Sequence, residues 1–252
     1  MTSRSQYGFS LASYQDLLKC FVSSGWNFET FRDMQAPPVM QPTVILRHDV
    51  DAELYFLGPF LEVEMQCSVK STYFVMLESP LYNPFSPEGR RILQLIASHG
   101  HEIGLHFFGE IHADLHRNDL EREITRQIER LSHLTGTDVR AFSFHQPTQI
   151  MIDSDLDLPG IVNTYHSTTM SNFTYVSDTN MDWRPSNPND LTKSSSTNLQ
   201  ILIHPLWWLT EGSTPAERWK QVLKSLSVAQ ARHLIERERT LTNLTIDDLT
   251  TA

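Results

Sequence analysis

The run His48-Asp49-Val50-Asp51 sets two carboxylates two positions apart beside an imidazole. On an extended strand alternate side chains share a face, so Asp49 and Asp51 point one way and Val50 points into packing. Two carboxylates on one face repel unless a cation or a shared proton lies between them. A metal ion resolves the conflict, with one acid ligating it and the other left free as a base. The competing structural role is a helix N-cap at Asp51, because a helical pattern follows. The run His101-Glu102-Ile103-Gly104-Leu105-His106 carries two further histidines. They are five apart, so on a helix they would diverge by about 140°, and Gly104 disfavours a helix. As a strand, Glu102, Gly104 and His106 share one face, and His106 stands at its end. His101 reads as a surface residue or one supporting the site from behind. Ser143-Phe144-His145-Gln146-Pro147 and Ile203-His204-Pro205-Leu206-Trp207-Trp208 each put a histidine at a strand end just before a proline, which stops strand pairing. Glu110 and His112 follow His106 and are further candidate donors. Together these acids and imidazoles suit a divalent metal held by nitrogen and oxygen. An aromatic pair next to His204 suits a sugar face or an acyl group.

These residues need elements that end together. Apolar spacing predicts a helix over residues 11–35, then a break at Pro37, Pro38 and Pro42. A strand over Thr43–Leu46 leads into the acid pair, and a helix follows over 53–67. A strand is expected at 71–77, and Ser86-Pro87-Glu88 opens a helix that Gly100 ends. The strand 102–106 precedes an amphipathic helix over 115–134, with Leu120, Ile124, Ile128 and Leu131 on one face and Gly136 as its stop. Strands are expected at 140–144 and 199–203, and a terminal helix at 216–241. Residues 146–200 are rich in Ser, Thr, Asn, Asp and Pro and give no clear assignment. Alternating strands and helices indicate a parallel sheet, open or closed into a barrel. Four strands ending in ionisable groups match the rule that parallel α/β sites lie at the carboxyl ends of strands.

Composition removes several function classes. The chain has 252 residues, 40% of them hydrophobic, and a formal net charge of −10. Without a basic stripe it is a poor ligand for nucleic acid or an anionic membrane surface. Two cysteines, Cys20 and Cys67, build neither a disulfide framework nor a thiolate zinc site. No apolar run reaches a membrane span and no signal-peptide pattern opens the chain, so a cytoplasmic protein is expected. There is no G-x-G, G-K-[ST] or G-x-S-x-G, which removes the dinucleotide, P-loop and nucleophile-elbow motifs.

The ordered set HDVD, GHEIGLH, SFHQP, D-x-x-x-D-W and LIHPLWW resembles the polysaccharide deacetylase superfamily, carbohydrate esterase family four, over about residues 43–208. It most resembles a branch associated with surface-polysaccharide biosynthesis. The resemblance implies an α/β fold, a distorted (β/α) barrel, here one domain over 1–252 with added N- and C-terminal helices. It implies one divalent metal ion, usually zinc, and hydrolysis of an N-acyl group from an amino sugar. By that resemblance Asp49 is the base, Asp51 and His106 are metal ligands, and His204 is the acid. The family's second motif normally supplies another histidine four residues on, where this chain has Glu110. Its third motif normally carries an arginine where this chain has His145. His145 is therefore the favoured third ligand, with Glu110 and His112 behind it. Asp178 and Trp183 match the supporting acid and pocket tryptophan, with Asp182 the alternative acid. Arg47, Asp178, Trp183 and Trp207 are expected to bind substrate, and Arg47 and Arg184 to supply a local basic pocket.

The expected substrate is a sugar nucleotide or a lipid-linked or other precursor glycan carrying an N-acetyl or N-formyl group. Two other readings are a carbohydrate-binding protein without turnover and a metal amidohydrolase acting on a ureide or cyclic amide.

Overall fold

The computed structural model describes residues 8–34, 41–192, 198–241 and 243–250. In chain order the elements are α1 (Leu11–Ser23), β1 (Asn27–Glu29), β2 (Thr43–Val50), α2 (Gly58–Cys67), β3 (Thr72–Val75) and α3 (Pro87–Ser98). Then come β4 (Glu102–Phe108), α4 (Arg117–Thr135), β5 (Ala141–His145), α5 (Gln149–Asp153), β6 (Val162–Asn163) and α6 (Ser167–Asn172). The last are β7 (Thr174–Ser177), α7 (Pro188–Leu191), β8 (Asn198–Ile203), α8 (Pro205–Leu209) and α9 (Pro215–Arg237). Among the described residues no helix is long and apolar enough to cross a membrane.

Every strand pairing is parallel, in the order β6-β5-β4-β3-β2-β8-β7, with β1 along the first half of β2. Parallel sheets need both faces covered, which is why every residue of β2 is buried. The sheet is a half-barrel with flanking helices, consistent with the expected distorted (β/α) barrel. Its edges β6 and β7 do not pair with each other among the described residues. The chain adds strands on one side of β2 through β6, then returns to its other side with β7 and β8. The order therefore reverses at β2, and such reversals open a crevice at the carboxyl ends of the strands.

Side-chain alternation splits the sheet chemically. Val44, Leu46, Ile103, Leu105, Phe142 and Ile201 are buried in the main apolar core, together with Phe60, Ile92, Ile124 and Ile128 from the helices. Registers Asp49↔Phe74, Phe74↔Gly104 and His106↔Ser143 place the other set on the inner face. A small plug of Phe31, Ile45, Phe74 and Ala141 fills the bottom of that face. Gly104 is required there: a Cβ on it would lie 2.4 Å from the Phe74 ring and 3.1 Å from the Ala141 carbonyl oxygen. Overpacking of this kind costs about 1–3 kcal/mol. Gly104→Ala is expected to lose that much in urea denaturation with an unchanged m-value, and an unchanged midpoint would refute the close contact.

Two expectations about elements are corrected, and one unassigned stretch is filled. The helix expected over 11–35 ends at Ser23, because Gly25 turns the chain at φ +80. Residues 27–29 then run as a strand beside β2. The helix expected over 53–67 is a 3-10 turn at Leu54–Phe56 followed by α2, with a proline in its first turn. Proline lacks the N–H that an interior helical position needs, so the helix restarts there. The unassigned stretch 146–200 holds both edge strands, β6 and β7, and three short helices. These strands have only 2 and 4 residues, too short to leave a period in the sequence.

Candidate active site

The carboxyl ends of β2, β4, β5 and β8 meet around a cavity of about 470 Å³, and Asp49, Asp51, His106, His145 and His204 all line it. Asp51 Oδ1 lies 3.3 Å from His106 Nε2 and 3.1 Å from His145 Nδ1. The two imidazole nitrogens are 3.3 Å apart. The three atoms form a nearly equilateral triangle. Ligands at bond lengths of about 2.0–2.2 Å around a four- to six-coordinate divalent ion are separated by about 3.0–3.5 Å. Asp51 Oδ1 is buried and takes no hydrogen bond of proper geometry, so it presents a lone pair where a cation would sit. A nitrogen–oxygen donor set of this kind fits zinc and its neighbours. Burial opposes the charge on Asp51, yet His106 and His145 hold its carboxyl well below the usual carboxylate range. Burial likewise opposes charge on His145, and Asp51 overrides it and raises its pKa. Asp51 makes no helix cap, since the 3-10 turn after it has none from a side chain.

His106 is aimed from behind. Its Nδ1 lies 2.7 Å from Ser143 Oγ, and that hydroxyl is 3.4 Å from Asp49 Oδ1. Nδ1–H donating to Ser143 leaves Nε2 with the lone pair that a ligand needs, a common arrangement for ligating histidines. Ser143 was missed by sequence reasoning, although it precedes His145 by two residues and must share its face.

Asp49 accepts from Arg47 Nη2 at 2.7 Å. Burial works against its charge, but the Arg47 guanidinium outweighs it, and the carboxyl sits below its ordinary value. Arg47 itself is fully buried and does not line the cavity. Its guanidinium lies 5.4 Å from the Phe74 ring and 5.2 Å from the Tyr165 ring. The expected substrate contact by Arg47 is thus corrected: two residues back from the acid, it sits below the cavity floor and holds Asp49. Arg184 is exposed and pairs with Asp182 at 3.4 Å, so neither arginine makes a basic pocket.

His204 Nδ1 lies 2.6 Å from Asp178 Oδ1, and the His204 backbone N–H donates to the same carboxylate. Trp208 Nε1 donates to its other oxygen at 2.8 Å. Burial alone would depress the His204 imidazole, but Asp178, with Asp51 and Asp49 adding, raises it to about 9. Asp178 is fully buried and lines no part of the cavity, so it orients His204 rather than meeting a ligand. Its loss is testable through pH. In the acid role that the resemblance implies, His204 must carry a proton to donate one, so activity is expected to fall as pH rises through its pKa. Asp178→Asn is expected to move that alkaline limb to lower pH, toward the ordinary histidine value of about 6.5. A kcat–pH profile with an unmoved limb would remove His204 from the acid role.

Among the tryptophans, Trp207 lines the cavity with a buried Nε1 that has no partner. Trp183 does not line it; it packs against Phe9 and Trp208 at 6.4 and 6.1 Å, which corrects its expected place in the pocket. Trp219 does line it, edge-on to Trp207 at 6.4 Å. Trp219 comes from α9, outside the motif-bearing stretch, and nothing local in the sequence points to it. Tyr165 and Tyr175 complete the aromatic wall. Gln146 and Asn180 line the rim with left-handed backbones, φ 47 and φ 56, and strained non-glycine residues gather at functional sites. Glu110 is exposed and outside the cavity, and His112 turns instead to Glu78. His101 is buried beside Ser71, in neither of its expected positions.

No family model matches the chain, and no curated protein matches it. Solved structures do. A family 4 carbohydrate esterase from Bacillus anthracis is 16% identical, covering 94% of this chain and 90% of that one with a TM-score of 0.42. The chitin deacetylase of the fungal pathogen Colletotrichum lindemuthianum is 17% identical, covering 74% and 84% with a TM-score of 0.46. The Streptococcus pyogenes deacetylase PplD, in complex with acetate, is 12% identical, covering 88% and 92% with a TM-score of 0.47. Likeness at this level carries no argument about chemistry, so function rests on the residues of the cavity.

Proposed function

We propose that the chain is a metal-dependent hydrolase that removes an N-acetyl or N-formyl group from an amino sugar. The observation that carries this reading is the triangle of Asp51, His106 and His145 with Asp49 and His204 in the same cavity. Asp51, His106 and His145 would hold one divalent ion, zinc by preference. Such an ion, when bound, polarises an acyl carbonyl and makes a water more acidic. Asp49, kept ionised by Arg47, takes the proton from the attacking water. His204, protonated at neutral pH, gives a proton to the leaving nitrogen as the C–N bond breaks. One water is consumed; a carboxylic acid and a free amine result. Aromatic walls at Trp207, Trp219, Tyr165 and Tyr175 suit the apolar face of a sugar ring.

A cavity of about 470 Å³ holds a single sugar unit and its acyl group more readily than a long polymer. We therefore place the substrate among precursors of surface polysaccharide, as a sugar nucleotide or precursor glycan, handled in the cytoplasm. The test is a panel of N-acylated sugar nucleotides, free amino sugars, assembled polymer and cyclic amides, read by released acid. Release from soluble amino sugars supports the reading. Turnover of cyclic amides alone would replace the sugar by another amide, and no release from zinc-reconstituted protein would leave a binding protein. Asp49→Asn is expected to keep the metal and lose about 10²–10⁴-fold in kcat. Metal loss in that variant would make Asp49 a ligand instead.

A further inference from the structure

Gln146 and Asn180 both line the cavity and both are exposed, so they stand at its rim. They reach it from opposite ends of the sheet. Gln146 follows β5, beside the edge strand β6, and Asn180 follows β7, the other edge. Because the sheet curls into a half-barrel, both ends border one cavity. Each residue has a left-handed backbone, φ 47 and φ 56. That conformation is strained for a residue with a Cβ, although asparagine tolerates it better than glutamine does. Among the described residues neither carboxamide has a hydrogen-bond partner. The wall between them has a second feature. None of the described residues that line the cavity is a lysine or an arginine. Its ionisable groups are the acids and imidazoles of the proposed reaction and the tyrosines Tyr165 and Tyr175. Thr179 turns its hydroxyl to Ser177. Aromatic rings cover the apolar face of a sugar and leave its hydroxyls to neutral polar groups. A carboxamide has an oxygen that accepts and an NH2 that donates, which suits a hydroxyl that does both.

We infer that Gln146 and Asn180 are the specificity-determining pair of the site, hydrogen-bonding ring hydroxyls of an uncharged amino sugar. The inference rests on the reading of the cavity as an N-deacylase site, and it narrows the substrate of that site. A sugar joined to a diphosphate gains nothing from a wall without lysine or arginine. The neutral end unit of a precursor glycan is recognised by the two carboxamides and the aromatic rings together. Neither carboxamide takes part in the bond changes at the acyl group. They select which sugar enters and how it lies against Asp49 and the Asp51–His106–His145 triangle. A site built to hydrogen-bond a hydroxyl strongly rejects analogues that lack it.

The experiment uses the full chain, reconstituted with zinc, and the variants Gln146→Gly and Asn180→Gly. Each removes a carboxamide together with the Cβ that strains its backbone. The probes are the methyl glycosides of glucosamine, galactosamine and mannosamine, each N-acetylated or N-formylated, with UDP-N-acetylglucosamine beside them. Released acid gives kcat and KM, and calorimetry gives Kd in an Asp49→Asn background, where turnover is suppressed. Wild type is expected to prefer one glycoside, and each glycine variant to raise its KM and Kd by about tenfold or more. The preference should be lost with them, while metal content stays at the wild-type level. Tm should stay at or above that of wild type, because glycine is unstrained at these angles. The nucleotide should bind no more tightly than the methyl glycoside of the same sugar. If wild type releases acid but the glycine variants leave KM and Kd unmoved, the pair is overturned and the catalytic reading stands. If wild type neither cleaves nor binds any probe, the catalytic reading falls and the pair falls with it. Metal lost from Gln146→Gly, or a lower kcat at unchanged KM in Asn180→Gly, would assign the effect to His145 or His204 and overturn the pair. Tighter binding of the nucleotide would overturn the uncharged substrate.

Discussion

On the proposed function, His106→Ala is expected to abolish metal binding at the Asp51–His106–His145 triangle and to lower kcat/KM by about 10³-fold or more. The size follows from the loss of Lewis-acid stabilisation worth several kcal/mol, at a tenfold rate change per 1.36 kcal/mol. The expectation is specific to this residue because His106 Nε2 is the vertex 3.3 Å from both other corners of the triangle. It is also the corner fixed from behind, through Ser143. Without it, one carboxylate and one imidazole remain, too few donors to hold zinc against a chelator. The fold should survive, because His106 projects from the inner face beside the cavity and carries none of the apolar core. Metal content and released acid are measured on the same preparation, after reconstitution with zinc. A variant that keeps one equivalent at the triangle, or works within tenfold of wild type, would remove His106 from the centre.

The second large effect concerns stability. Glu64 on α2 is fully buried and accepts hydrogen bonds from Tyr14, His48, Tyr73 and Ser71 at 2.5, 2.7, 2.6 and 3.0 Å. His101 Nδ1 stands 3.6 Å away. One carboxylate thus joins α1, α2, β2, β3 and the start of β4. Removing one partner of a buried charged pair costs about 3–5 kcal/mol, because the groups left behind lose both water and partner. Glu64→Leu is expected to lose that much in urea denaturation. A loss under 1 kcal/mol would mean that the surrounding hydroxyls and imidazoles repartner freely. The effect also has a pH signature. Burial alone would raise the Glu64 carboxyl, but His48, by charge and hydrogen bond, with His101 and Tyr14, lowers it to about 2. A folded-state value below the unfolded one means the stabilisation is present above about pH 4.3. It is lost as pH falls toward 2. Glu64→Gln should flatten that part of the acid stability curve.

Both residues bear on what could be read along the chain. The alternation His48-Asp49-Val50-Asp51 tells that 49 and 51 share a face and that 48 and 50 share the other. The structure agrees: Val50 joins the apolar core and Asp49 and Asp51 line the cavity. The same rule puts Arg47 with Asp49, so their ion pair was legible in principle. Its depth was not, because strand alternation gives a side and no distance from the strand end. His48 was visible only as a neighbour of the acids; its pairing with Glu64 joins residues 16 positions apart. Likewise, spacing offered Glu110, His112 and His145 for one corner. The register Phe108↔His145 sets His145 two pairs beyond His106↔Ser143, on the same face of the neighbouring strand. That places its Nδ1 by His106 Nε2, while the 3-10 turn carries His112 to Glu78 instead.

By itself, the sequence determined the parallel α/β architecture and the ionisable residues near the ends of four strands, although β2 and β4 run on to Val50 and Phe108, past the expected ends at Leu46 and His106. Those features are local: a two-residue period, a proline after a histidine, a glycine at a stop. Only the tertiary structure decided which nitrogen meets which oxygen, which of five tryptophans face the cavity, and that Arg47 lies beneath it. Distances between strands depend on register and curvature. Those are set by apolar packing across the whole sheet, from Phe74 against Gly104 at its inner face to the helices at its back, and no short window of residues contains them.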